Sequence, residues 1–200
     1  SSSVPCTGGY QFGRRVYHDW KATGHGSVDL HKALVQSCDV YFYTIGQRMG
    51  IDMMAEYAKD FGLGQETGIE LPSERVGSIP STAWKLKVKK EAWLPGETIS
   101  AAIGQGYVTV TPLQMASFIG TVANDGLSIK PRLVQAVMNR ATGERAEFPP
   151  TVRGKVAVKP ATIALIKAAL ADVVTKGTAT RAKSSLVTIG GKTGTAQTAA

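Results

Sequence analysis

The chain's most chemically suggestive stretch is Gly190-Gly191-Lys192-Thr193-Gly194-Thr195-Ala196-Gln197, entered from the β-branched run Leu186-Val187-Thr188-Ile189. A strand ending in Lys-Thr-Gly sets an ammonium and a hydroxyl beside backbone with no side chain in the way. An extended peptide can lie along such an edge with its carboxylate on the lysine. Far upstream, Ser37-Cys38-Asp39 offers a hydroxyl, which donates and accepts in turn, beside a carboxylate. Taken alone, each feature has a plain reading: the triplet as a helix junction capped by serine and aspartate, Lys192 as a surface lysine, and Gly104 and Gly106 as turn glycines. A third group is Cys6, Asp19, His25 and Cys38, two thiols, an imidazole and a carboxylate of the kinds that bind zinc, although their spacing is not that of a zinc finger. Two other readings of that group stay open: a Cys6–Cys38 disulfide stabilising by about 3–4 kcal/mol, or a buried inert Cys38 beside a turn at Gly24-His25-Gly26.

The elements that must position these residues can be read from periodicity. Residues 1–26, crowded with glycines and aromatics, read as an irregular entry. Ser27 reads as an N-cap, with Leu30, Ala33 and Leu34 at helical spacing behind it. Tyr41, Phe42, Ile45 and Met49 form a second helical stripe that halts at Gly50, which places the Ser-Cys-Asp triplet between two helices. A short helix is expected over 53–61, closed by Gly62, and an extended piece over 68–72. Residues 72–100 read as a long surface excursion, and their run Lys85-Leu86-Lys87-Val88-Lys89-Lys90 as a solvated loop or helix face. Thr111 and Pro112 are an N-cap and first-turn proline, opening a helix with Leu113, Met115, Ala116, Ile119 and Val122 on its apolar side and a stop at Asn124-Asp125-Gly126. A strand is expected over 133–137, and Pro160 opens a last helix through Ile163, Leu165, Ile166, Ala169, Leu170, Val173 and Val174.

With 200 residues, 43% hydrophobic and 19% charged, the chain reads as a single domain, 1–200, or a large piece of one. No run of about 18 apolar residues occurs. The net charge of +8 suits anionic glycopolymers, phospholipid headgroups or nucleic acid, and charge alone does not choose among them. The basic residues lack the aromatic and arginine pattern of nucleic-acid binders, so no nucleic-acid partner is expected.

Several motifs occur together and in order: Asp19-Trp20, Gly24-His25-Gly26, Ser37-Cys38-Asp39 with Tyr41-Phe42-Tyr43, Gly104-Gln105-Gly106, Thr111-Pro112-Leu113-Gln114-Met115-Ala116, Asn124-Asp125-Gly126, Gly177-Thr178-Ala179 and Lys192-Thr193-Gly194-Thr195-Ala196-Gln197. In this set the chain resembles the transpeptidase domain of class B penicillin-binding proteins, and Asp39 in the third place of the second motif points to the penicillin-binding protein 2 branch. The resemblance implies an α/β fold of the serine β-lactamase and D,D-peptidase kind, an antiparallel sheet flanked by helices. It also implies D,D-transpeptidation of peptidoglycan by a serine enzyme that β-lactams acylate.

On the same resemblance, Ser37 relays a proton to the leaving nitrogen, Asp39 holds the nucleophile's lysine, and Lys192 supplies positive potential at the substrate carboxylate. Thr193 and Thr195 offer that carboxylate hydroxyls, Gly194 leaves room for the peptide, and the Thr195 N–H is an oxyanion donor. Catalysis requires no cofactor. A structural zinc is implied at Asp19, His25 and Cys38, with Cys6 standing where relatives have an acidic ligand. The implied partners are the stem peptide, β-lactams, a membrane glycosyltransferase and an elongation scaffold. The implied location is the periplasmic face of the inner membrane, with the anchor outside these residues.

One motif of the family is missing, since no Ser-x-x-Lys precedes Ser37. The expectation is therefore an excised piece, inactive by itself, that begins after the nucleophilic helix. A serine β-lactamase or D,D-carboxypeptidase would share Lys-Thr-Gly, and a non-catalytic β-lactam sensor or peptidoglycan-binding module would naturally lack Ser-x-x-Lys.

Overall fold

The computed structural model describes residues 3–194. The first elements are strands β1 (Val4–Cys6), β2 (Gly9–Phe12), β3 (Arg15–His18) and β4 (Gly26–Val28). β1 pairs antiparallel with β4, and the β2–β3 hairpin is inserted between them in sequence. The entry expected to be irregular is thus two short ribbons. The alternation of Val4 and Cys6 inward with Pro5 outward is the strand signal, and three residues are too few for it to stand out from the glycines around it.

Helix α1 (Leu30–Gln36) follows, capped by Asp29 rather than Ser27, its carboxylate accepting the Lys32 N–H at 2.8 Å. Then come α2 (Asp39–Met49), halted at Gly50, and α3 (Ile51–Asp60). Val4, Cys6, Val28, Ala33, Cys38, Val40 and Tyr41 form one buried cluster, so the ribbons and the first two helices share a core.

Residues 72–100 contain two further helices, α4 (Thr82–Lys89) and α5 (Pro95–Ala101). The basic run therefore has a buried member, because Lys85 is only 1% exposed and turns inward from α4. Helix α6 (Pro112–Ala123) starts as its sequence predicts. The Thr111 hydroxyl accepts the Gln114 N–H while the Gln114 side chain accepts the Thr111 N–H.

A second nested ribbon follows, with β5 (Leu127–Ile129) pairing β8 (Val152–Lys155) around the hairpin β6 (Ala136–Met138) and β7 (Arg145–Glu147). Helix α7 (Pro160–Thr175) then packs along α1. Among the described residues, Leu186-Val187-Thr188-Ile189 forms no strand. The described part of the Lys-Thr-Gly segment is extended chain laid against α7, with the Gly191 N–H donating to the Leu170 carbonyl at 3.0 Å. The mixture of helices and antiparallel ribbons agrees with the expected α/β class. No described helix is long and apolar enough to cross a membrane.

Candidate functional site

Helix α1 ends where Ser37 takes the left-handed conformation, φ 56°, an uncommon backbone for a non-glycine residue. This sharp turn separates α1 from α2 and leaves Cys38 and Asp39 at the start of the second helix. The end of α7 is drawn against the same place. The Thr178 N–H donates to the Val35 carbonyl at 3.3 Å, and a Cβ at Gly177 would lie 2.4 Å from that carbonyl oxygen, an approach only glycine permits.

That junction brings together residues 155 positions apart: the Lys192 Nζ donates to the Ser37 Oγ at 2.7 Å. The same ammonium donates to its neighbour's carbonyl, Thr193 O, at 3.0 Å, and the Thr193 and Thr178 hydroxyls meet at 2.9 Å. Ser37, Asp39, Lys192, Thr193 and Gly194 all line one open cleft of about 710 Å³, with Trp20, Tyr43, Ile103 and Gln105 on its other walls. Among the described residues a Cβ on Gly194 would meet nothing within 4 Å, which leaves the backbone there open on that side. Thr195, the remaining residue of the expected set, lies outside the described residues.

Burial, and then the neighbouring Asp19 carboxylate, push the Asp39 carboxyl above its ordinary value. Burial lowers Lys192, against the opposing pull of Asp39. Both groups thus sit where a charge is incompletely solvated, and an anionic ligand there would relieve the lysine. Burial raises the Tyr43 phenol to about 12, so it stays a neutral wall of the cleft.

Trp20 was not expected to take part. Its side chain is 62% exposed, yet its indole N–H is shared between the Gln36 and Ser37 carbonyls at 3.0 Å each, and its backbone N–H donates to the Asp39 carboxylate at 3.3 Å. Thr178 was likewise read only as part of a motif. The adjacency of each to a motif was visible in the sequence, but the hydrogen bonds were not.

The four candidate metal ligands also meet. Cys6, Asp19, His25 and Cys38 are all buried, with one ligand atom from each within 4.8 Å of all the others. The Cys6 Sγ lies 3.5 Å from an Asp19 oxygen and 3.6 Å from the His25 Nδ1, and His25 Nδ1 lies 3.5 Å from the other Asp19 oxygen. Tetrahedral zinc with thiolate and imidazole ligands requires donor–donor separations of roughly 3.3–3.8 Å. The donor set fits such an ion, the three separations among Cys6, Asp19 and His25 fall in that range, and both thiols are free rather than joined. The His25 Nε2 is buried with no hydrogen-bond partner among the described residues.

Burial by itself raises Asp19, but N–H groups of Lys21 and Val40 and the Cys38 thiol outweigh it and hold the carboxyl below its ordinary value. Burial raises Cys38 strongly, so without a cation nearby it is a thiol.

Comparison with known proteins agrees with this geometry. The family model described as the penicillin binding protein transpeptidase domain matches residues 1–200. The peptidoglycan D,D-transpeptidase MrdA of Acinetobacter baumannii is 42% identical over 188 residues, which cover 90% of this chain and 27% of that protein. Its counterpart in Haemophilus influenzae is 47% identical over 121 residues, 60% of this chain and 19% of that protein. Among solved structures, the complex between penicillin-binding protein PBP2 and MreC from Helicobacter pylori matches with a TM-score of 0.84 at 32% identity, covering 98% of this chain and 36% of that one. The chain thus spans 27% and 19% of the lengths of the two MrdA relatives. It belongs to the penicillin-binding protein transpeptidase domain family.

Proposed function

We propose that the protein containing these residues is a serine-type peptidoglycan D,D-transpeptidase that β-lactams acylate, with the nucleophilic serine and its lysine supplied by a part of the protein outside this chain. The observation that carries the reading is the 2.7 Å hydrogen bond from Lys192 to Ser37 across an open cleft that also holds Asp39. Acyl transfer to a D-Ala-D-Ala stem peptide forms an ester on the nucleophile, breaks the terminal peptide bond and needs a proton for the departing D-alanine nitrogen. Ser37 passes that proton, a role supported by its hydroxyl, which accepts from Lys192 and can donate into the cleft. Lys192 and the Thr193 hydroxyl bind the substrate's terminal carboxylate, and the bare backbone at Gly194 lets the stem peptide lie alongside. Asp39 pairs with the nucleophile's lysine. Thr195 completes the carboxylate clamp and donates its N–H to the oxyanion.

Cys6, Asp19, His25 and Cys38 hold a structural zinc in this reading. Through a bound ion these four residues would tie β1, the loop carrying Asp19 and His25, and the start of α2 together, with no role in the acyl transfer. The cell-wall role places the domain outside the cytoplasm, on the periplasmic face of the inner membrane, anchored by a segment outside this chain. The solved complex with MreC supports an elongation scaffold as partner, working beside a membrane glycosyltransferase.

Labelling with fluorescent penicillin tests the reading. The whole protein is expected to form a stable covalent adduct, while residues 1–200 alone form none. A whole protein that takes no label refutes the assignment, and labelling of these 200 residues alone refutes the placement of the nucleophile.

A further inference from the structure

Lys85 is a buried cation for which the transpeptidase mechanism has no use. Its side chain is only 2% exposed, and its ammonium donates to the Glu97 carboxylate at 2.6 Å, with Glu91 at 3.6 Å. The ammonium also lies 5.9 Å from the ring centres of both Trp93 and Tyr107. Those rings pack against each other, and Tyr107 packs against Trp84 as well. A buried ion pair is a poor source of stability, because desolvating both charges costs about as much as their attraction returns. In some proteins such a pair instead fixes one arrangement of the groups around it.

The arrangement here leads to the cleft. Glu97 is in the first turn of α5, and its second oxygen accepts the Leu94 N–H at 2.8 Å, so the carboxylate that holds Lys85 also starts that helix. Trp93 is tied to α5 through its indole N–H, which donates to the Thr98 hydroxyl at 2.9 Å. At the other end of α5 the chain runs through Ile103 and Gln105, both on the cleft wall, to Tyr107. The turn between them is built on two glycines with positive φ, 75° at Gly104 and 71° at Gly106, and hangs from the end of α5, where the Gly104 and Gln105 N–H groups donate to the Ala101 and Ser100 carbonyls at 2.9 and 3.0 Å, so it moves with that helix. Lys85 therefore contacts both ends of the segment 97–107 whose middle forms the wall.

We propose that Lys85 is a positioning residue for the active site: by pairing with Glu97 and packing on Tyr107 it fixes the turn at residues 104–106 and so places Gln105 in the cleft. This rests on the transpeptidase reading and adds to it a residue whose side chain never touches substrate. A lysine kept only for stability would affect the folded population and leave each folded molecule's chemistry alone. A positioning lysine changes that chemistry.

The test uses the whole protein and the second-order rate of acylation by fluorescent penicillin, measured well below each variant's thermal midpoint and normalised to the folded fraction by circular dichroism. Lys85→Met keeps the apolar stem and is expected to slow acylation by about tenfold or more, the size of effect that displacing a binding wall produces. Should Lys85→Met fail to fold, Glu97→Gln, which keeps an acceptor for Leu94, carries the same expectation. Gln105→Ala removes the side chain that is being placed. In the double variant Lys85→Met/Gln105→Ala the cost of losing Lys85 should largely disappear, because two residues acting through one contact are not additive. Acylation at the wild-type rate per folded molecule in Lys85→Met, or fully additive effects in the double variant, overturns the proposal. A wild-type protein that takes no label fails at the earlier step, which separates the two claims.

Discussion

Helix α2 carries Asp39 at its start and packs on α5, and its Gly46 faces Ala102, the C-cap of α5. A Cβ built there lies 2.4 Å from the Ala102 Cβ, while the next atom, the Ala102 Cα, is at 3.5 Å. Gly46→Ala therefore drives a methyl about 1 Å inside ordinary contact, against a neighbour that has no rotamer with which to yield. Overpacking of this kind costs about 1–3 kcal/mol. Alanine returns about 1 kcal/mol of helix propensity in the middle of α2. The net loss is thus roughly 0–2 kcal/mol, a few degrees in thermal midpoint for a domain of this size. The functional loss is expected to be larger. If α5 yields by about 1 Å it carries Ala102, Ile103 and Gln105 with it, and a displacement of that size at a binding wall can slow acylation by about 10²-fold. The assay is penicillin acylation of the whole protein alongside a thermal melt. The second variant is Gly46→Ala/Ala102→Gly, which removes the clashing methyl and leaves 3.5 Å to the next atom. It should recover most of the acylation rate. Wild-type acylation in Gly46→Ala, or no recovery in the double variant, would refute the reasoning.

Lys192→Met should slow acylation by about 10- to 100-fold with little change in melting, since a charge-assisted hydrogen bond to a carboxylate contributes about 1.5–3 kcal/mol. An unchanged rate would remove Lys192 from the carboxylate clamp. Metal analysis with thiol titration should find about one zinc per protein and two thiols that react only after chelation. No metal and no free thiol would instead establish a disulfide. Burial by itself raises Glu97, but its hydrogen bonds to Lys85 and the Leu94 N–H outweigh that and hold the carboxyl below the ordinary 4.5. Its contribution to stability is therefore present above that value and lost as pH falls through the lower, folded one. The difference in thermal midpoint between wild type and Glu97→Gln should close as pH is lowered from above 4.5 down through the depressed folded-state value. A gap that does not vary with pH would show that Glu97 carries no shifted charge.

What the sequence disclosed depended on how local the signal was. The Thr111–Pro112 helix start, the stops at Gly50 and at Asn124-Asp125-Gly126, and the Pro160 start are written in adjacent residues, and the structure has each of them. The inward turn of Lys85 was not legible, because a lysine in a run of alternating lysines looks solvated. What buries it is Glu97, twelve residues on, and Tyr107, further still. The Lys-Thr-Gly strand was over-read from the β-branching of residues 186–189. Branching favours extended backbone, but a strand also needs a partner to supply the ladder, and among the described residues this segment's backbone bond to α7 is the isolated one from Gly191 to Leu170. For the cleft, the motifs named the residues, and only resemblance to a family placed Ser37 and Lys192 together. No property of either residue reports a contact 155 positions away.

The cluster of Cys6, Asp19, His25 and Cys38 and the second motif are joined through two pairs of adjacent residues, Asp19-Trp20 and Cys38-Asp39, which ties them together mechanically. Asp19 turns inward, accepting the Val40 N–H at 3.2 Å and lying within reach of Cys6 and His25. Trp20 turns to the cleft, donating its N–H to Asp39 and its indole N–H to the carbonyls beside Ser37. Across from them Cys38 is buried in the cluster while Asp39 lines the cleft. With Asp19-Trp20 and Cys38-Asp39 each reaching both sites, a shift at the cluster is expected to move the Ser37 turn. That turn already holds an uncommon left-handed backbone, and its surroundings must enforce it. Stripping the cluster of a ligand should therefore be felt first as a loss of Ser37 and Asp39 geometry. It should appear as slower acylation at temperatures where the rest of the domain is still folded.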